Sequence, residues 1–158
     1  MASIGNATDF GNISSAMHSR GTLSSPTRAV TGGGMKSPTS TNIIDYFEIA
    51  TTGNTTDFGD LTAARIGPSA ASSSTRGVFQ GGNTDPSYVN TMDFVEIAST
   101  GNAIDFGDLT VVVGYASGTS NSVRGINQGG WSGSSALNVI DYMTVSYTHL
   151  TLPTIYSV

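Results

Sequence analysis

Apolar side chains in this chain come in ones and twos between hydroxyl and acidic residues, and helical periodicity is absent throughout. The pattern predicts short β-strands. Residues 46–52 and 55–61 read as two strands joined by Gly53-Asn54, a Gly-X pair suited to a two-residue type II' hairpin turn. That turn would set Ile49 opposite Phe58, and Ile97 opposite Phe106 further along. One face then carries Phe47, Ile49 and Phe58, and the other carries Tyr46, Ala50 and Leu61. Both faces are partly apolar, as expected of a sheet packed between two others. Residues 76–80 form a third strand running into Gly81-Gly82, where glycines allow close backbone approach. Residues 63–71 vary most and hold either a fourth, irregular strand or a long loop.

The same pattern returns without a gap every 48 residues. Gly-Asn recurs at Gly5, Gly53 and Gly101, and Asp-Phe-Gly follows at Asp9, Asp57 and Asp105. Arg28, Arg76 and Arg124 are in phase, as are the doublets Gly33-Gly34, Gly81-Gly82 and Gly129-Gly130. Asp45, Asp93 and Asp141 complete the signature, each followed by an aromatic: Tyr46, Phe94 and Tyr142. The fold expected is therefore all-β, in three repeats at 1–48, 49–96 and 97–144. About 48 residues with several short strands describe a β-propeller blade, for which about 40 to 50 is usual. A β-solenoid is the rival architecture. Three blades do not close a ring, for which about four to eight are typical, so the expectation is an arc of an incomplete propeller with open edges. Such an arc, isolated, is expected to aggregate or to fold only in part.

Composition narrows the function. Of 158 residues, 43 are Ser or Thr and only 11% are charged, where about 25% is usual. The net charge of -5 gives no electrostatic footprint for nucleic acid or an anionic membrane. No run approaches the roughly 18 to 20 apolar residues of a membrane span. With no cysteine there is no disulfide framework, thiolate metal site or cysteine nucleophile.

The Gly-Gly doublet at a strand end with an aromatic downstream resembles the kelch-type propeller repeat. Kelch units usually add a Trp after that aromatic, and the lone Trp131 is out of phase with that role. More specifically, residues 97–110 (IASTGNAIDFGDLT) and 74–82 (STRGVFQGG) resemble repeats of virion or tail-fibre proteins of marine tailed phages, a likeness covering residues 1–143. It implies a non-enzymatic structural or host-adhesion protein located in the virion. Its partners would be a neighbouring virion protein or a host-surface glycan. The alternative is a fragment of a secreted kelch-type carbohydrate-active enzyme or lectin, whose catalytic part lies elsewhere.

Both ends stand out against the repeat. Met1 aligns with Ile49 and Ile97, in mid-strand, as if it were an internal start in a longer frame. After Thr144 the repeat is replaced by VSYTHLTLPT at 145–154, which resembles a translated transposon-derived sequencing adapter, so 145–158 is expected to be a non-native tail.

Few residues offer chemistry. Asp57-Phe58-Gly59 lacks the glycine-rich loop, strand lysine and His-Arg-Asp loop that a kinase also needs. Asn54, Asp57 and Asp60 offer oxygen ligands, but in the expected register the two aspartates point to opposite faces, so turn and strand-end hydrogen bonding is the simpler role. The in-phase arginines suit bidentate pairing with Asp45, Asp93 and Asp141. A ring of arginines binding a ligand is the other use of that phase. His18 and His149 are the only histidines, and no Ser-His-Asp set is in phase, so no catalytic residue, cofactor site or metal site is assigned. Asn6, Asn12 and Asn54 match the N-glycosylation pattern, as a Ser/Thr-rich chain does by chance. The loops at 65–74, 83–88 and 131–137 differ between units while strands hold, which makes Tyr88 and Trp131 the candidate binding residues. The adapter reading has a direct check: the bases encoding 145–154 should match the adapter, and native coding sequence there would exclude it.

Overall fold

The computed structural model describes residues 5–146. Those residues form thirteen strands and no helix, so none is long and apolar enough to cross a membrane. The first sheet combines β1 (Gly21–Ser24), β2 (Arg28–Gly32), β5 (Ile43–Glu48) and β6 (Thr56–Asp60). A small hairpin of β3 (Met35–Lys36) and β4 (Thr39–Ser40) lies between β2 and β5. In the second sheet, β7 (Ser69–Ser72), β8 (Arg76–Asn83), β9 (Tyr88–Glu96) and β10 (Ile104–Asp108) repeat the same antiparallel order. The third holds β11 (Ser117–Ser120), β12 (Arg124–Gln128) and β13 (Ile140–Thr144). First strands begin at Gly21, Ser69 and Ser117, and second strands at Arg28, Arg76 and Arg124.

Two apolar clusters show how the sheets stack. Leu23, Val30, Ile44, Phe58, Leu61, Phe79 and Val95 fill the space between sheets one and two. Val78, Met92, Leu109, Val113, Met143 and Val145 fill the space between sheets two and three. The middle sheet is thus buried on both faces, and β8 has no exposed residue. That is the burial a two-faced apolar pattern requires.

First strands meet across the stack, β1 against β7 and β7 against β11. Serines tie them: Ser72 Oγ donates to the Ser24 carbonyl at 2.8 Å, and the Ser72 N–H donates to Ser120 Oγ at 3.1 Å. The glycine doublets dock on the next connector. Gly34 N–H donates to the Arg65 carbonyl and Gly82 N–H to that of Val113. Gly81 and Gly82 have φ of +61° and +117°, and a Cβ on Gly81 would run into the Val113 carbonyl oxygen. Glycine is required there for both reasons.

One expected detail is corrected. Gly53-Asn54 is not a two-residue hairpin turn: β5 and β6 pair Tyr46 with Thr56 and Ile43 with Asp60, which leaves 49–55 as a longer loop. Gly53 and Asn54 instead reach the segment that precedes sheet one. Gly53 N–H donates to the Phe10 carbonyl, and Asn54 Oδ1 accepts the Asn12 N–H. Gly101 and Asn102 make the same two bonds to Phe58 and Asp60. Competition from a neighbouring backbone thus displaces the local turn. Phe58 accordingly packs on Tyr46, with ring centroids 6.0 Å apart, rather than sharing a face with Phe47 and Ile49. The expected tail lies outside the described residues from 147 onward. Val145, its first residue, is buried and bonded to the Val123 carbonyl, as Ile97 is to that of Thr75.

Gly81→Ala should destabilise the protein by about 2 kcal/mol, the scale of a non-glycine residue held at positive φ. Gly53→Ala, which meets nothing within 4 Å, should stay within about 0.5 kcal/mol. Urea unfolding of the two variants checks the contrast.

Candidate functional site

The in-phase aspartates sit at the centre of the stack, but with partners other than those expected. Asp45 and Asp93 are wholly buried and Asp141 nearly so. Each receives the connector arriving from the preceding outer strand. Asp93 accepts from the Thr62 N–H at 2.9 Å and from Thr62 Oγ1 at 2.7 Å, and pairs with the Arg65 guanidinium at 2.8 Å. Asp141 accepts the same two groups from Thr110, at 3.1 and 2.7 Å. Asp45 takes Ser14 Oγ at 2.9 Å and Arg20 Nη1 at 2.6 Å.

The phased arginines do other work. Register places Arg28 opposite Glu48 while Thr31 stands opposite Asp45, three residues along and on the other face. Arg28 therefore binds Glu48 at 2.8 Å, lies 4.3 Å over the Tyr46 ring, and donates to the Ile97 carbonyl of sheet two at 3.0 Å. Arg76 donates to Glu96 at 3.1 Å and lies over Phe94, and Arg124 lies 5.1 Å over Tyr142. Arg28 and Arg76 are fastened to glutamates of their own sheets, so a ligand-binding ring of arginines is not what the phase encodes. Arg65, which occurs in one unit only, has a wholly buried side chain. Burial pulls its pKa below the ordinary arginine range, and the adjacent Asp93 opposes that.

Aromatic rings gather at the end of the sheets that carries the glycine doublets. Tyr88 starts β9 half-buried, and a Cβ on either Gly114 or Gly133 would strike its ring. Its ring centroid is 6.4 Å from that of Tyr115. Trp131 exchanges both backbone hydrogen bonds with Gly114, the residue before Tyr115, and bridges to Ala136. Tyr88 is thus the packed base of the group, while Tyr115 and Trp131 are 51% and 41% exposed. Burial and the neighbouring Tyr88 phenol push the Tyr115 pKa above its ordinary value.

Tyr115 escaped the sequence reading. Its counterparts are Ser19 and Gly67, and all three have positive φ, at 56°, 65° and 56°. A bulky tyrosine in phase with Gly67 and Ser19, at a backbone conformation that large side chains rarely adopt, is the signal that could have found it. His18 meanwhile pairs through its backbone with Met35 and through its ring with Ser19, a structural placement.

The opposite end presents the turns 25–27, 73–75 and 121–123. Ser24, Ser25, Ser72, Ser74, Ser120 and Asn121 line an open depression of about 420 Å³ there, with no charged side chain in its wall. Hydroxyl clustering from three separate turns was not visible before the strands were placed.

These features define an all-β protein of stacked antiparallel sheets with one aromatic end and one serine-rich end. Set against known proteins, the chain matches no protein-family profile and no curated protein.

Asp93→Asn should cost about 3–5 kcal/mol, because it leaves the Arg65 charge buried without a counter-ion. Adding Arg65→Val, the residue type at the corresponding position 113, should recover most of that loss. Chemical denaturation of the single and double variants reads the coupling.

Proposed function

We propose that this chain is a non-enzymatic structural or adhesion repeat of a tailed-phage particle, an arc of kelch-type propeller blades. It binds a neighbouring virion protein or a host-surface glycan through the loops at its aromatic end. Three sheets with first strands meeting along one line, and connectors running from each outer strand to the next first strand, support the propeller arrangement.

The observation that carries the binding reading is the exposed pair Tyr115 and Trp131, held on backbones hydrogen-bonded to their neighbours. Flat amphipathic rings on a fixed backbone lose little entropy on contact and stack on sugar faces or anchor protein interfaces. Variation between units falls on these loops while the strands hold, which is how a constant scaffold changes partner.

Glycan-array binding by the full chain tests the adhesion arm. Trp131→Ala and Tyr115→Ala should each weaken the strongest signal about tenfold, equivalent to about 1.4 kcal/mol. An array with no bound glycan overturns adhesion to sugars and leaves the virion partner, read by co-sedimentation with particles.

A further inference from the structure

Each buried aspartate faces a connector, and in sheets one and two that connector also brings a cation. Arg20 serves Asp45 at 2.6 Å, and Arg65 serves Asp93 at 2.8 Å. The two arginines are out of phase, since Arg20 corresponds to Pro68 and Arg65 to Met17. The same charge is thus supplied from two different positions of the connector. In the third connector both positions are apolar: Val113 is in phase with Arg65, and Ala116 with Arg20. Asp141 keeps its two bonds from Thr110, and among the described residues no arginine, lysine or histidine pairs with it.

Four oxygens surround the Arg20 guanidinium. Nε donates to the Gly33 carbonyl at 3.0 Å, Nη1 to Asp45 Oδ2 at 2.6 Å, and Nη2 to the carbonyls of Thr31 and Ile43, each at 3.0 Å. Their counterparts in sheet three are the Gly129 carbonyl, Asp141 Oδ2, and the carbonyls of Asn127 and Val139. The backbone that carries them repeats. Gly33 N–H donates to the Ile43 carbonyl at 3.1 Å, and Gly129 N–H to that of Val139 at 2.9 Å. The doublets agree in φ, at +67° and +107° for Gly33-Gly34 against +65° and +98° for Gly129-Gly130. A Cβ on Gly34 would strike the Arg20 stem and one on Gly82 the Arg65 stem, whereas one on Gly130 would strike Val113 and Ala116. The frame that holds a cation twice is therefore built a third time, with short apolar side chains where the arginine stems run.

A second polar group faces the same interface. Register pairs Gln80 with Ser69, whose Oγ donates to Asn127 Oδ1, and Asn127 pairs in turn with Asp141. Gln80 is 1% exposed, and neither atom of its amide has a hydrogen-bond partner among the described residues.

We propose that Asp141 holds a calcium ion where sheets one and two hold a guanidinium, with the carbonyls of Asn127, Gly129 and Val139 as its neutral oxygens. One carboxylate with main-chain carbonyls is a donor set that calcium accepts, water completing a coordination number of about 6–8. Magnesium fits less well, because it demands near-ideal octahedral geometry at short distances. The ion restores a positive charge beside the third buried carboxylate and fastens the connector 109–116 to sheet three. The inference goes beyond the proposed function and stands whether or not a glycan binds.

Calcium chloride, added to the full 158-residue chain with ionic strength held constant by choline chloride, should raise the melting temperature saturably by about 5 °C. Titration calorimetry should count a single ion per chain. Ala116→Arg, which gives the third connector the arginine that the first carries at Arg20, should raise the melting temperature without calcium and cut the calcium shift at least about fivefold. Asp141→Asn should abolish the shift, while Asp57→Asn, at an exposed carboxylate of β6, should leave it intact. Any of three results would overturn the proposal: no saturable response to calcium, an Asp141→Asn chain that responds as the wild type does, or a folded Ala116→Arg chain that binds the ion with undiminished affinity.

Discussion

Everything in this stack hangs on a buried carboxylate at the middle of the third strand of each sheet. A connector leaving the outer edge of one sheet must cross to the first strand of the next, and it carries backbone N–H groups past an interior that offers few acceptors. At Asp93 both carboxylate oxygens are used, one by the Thr62 hydroxyl and the other by the Thr62 N–H and Arg65. A hydrogen bond to a charged acceptor contributes about 1.5–3 kcal/mol, against a desolvation cost of several kcal/mol for the carboxylate. The arrangement therefore fixes where the connector goes more than it adds to stability. Asp45 shows the limit: it has Ser14 Oγ and Arg20 on one oxygen, and the other finds no partner among the described residues.

The sheet faces between which these aspartates lie are not equivalent, although the strands repeat. Phe79 covers Gly21 and Gly32, where a Cβ would come within about 3 Å of its ring, so the first interface is closed by one large side chain over two glycines. At the corresponding positions of the second interface stand Asn127, Ser69 and Gln80. There Ser69 Oγ donates to Asn127 Oδ1 at 2.6 Å, and the amide of Gln80 is buried with no hydrogen-bond partner among the described residues. An unsatisfied buried amide costs about 1–3 kcal/mol. At these positions apolar closure thus gives way to polar closure within one molecule.

Strand positions were legible in part, from alternation: 55–61 and 76–80 overlap β6 and β8, whereas only 46–48 of the strand expected at 46–52 lies in β5. Residues 76–80 fall inside β8, and the uncertain stretch 63–71 resolves into a connector followed by β7. What misled was the partner of a side chain. Gly53-Asn54 has the chemistry of a tight turn, and nothing within its own hairpin reveals that Phe10 and Asn12 bid for the same N–H and amide groups. The phased arginines fit the phased aspartates in charge, but a three-residue offset in register places them on opposite faces. Arg65, which does reach an aspartate, occurs in one unit and so is no part of the repeated signature.

The same distinction separates scaffold from site. Residues that repeat in phase are occupied within the stack: Asp by the connector, Gly34 and Gly82 by the next backbone, Arg by a glutamate or an aromatic ring of its own sheet. Some residues that break phase are buried, as Arg65 and Phe79 are, while Tyr115 and Trp131 are exposed where Ser19 or Gly67 and Met35 or Asn83 stand in the other units. A side chain committed to the next repeat cannot also be offered to a ligand. The left-handed backbone at Tyr115 shows one departure from the repeat held at a conformation that side chains other than glycine rarely adopt.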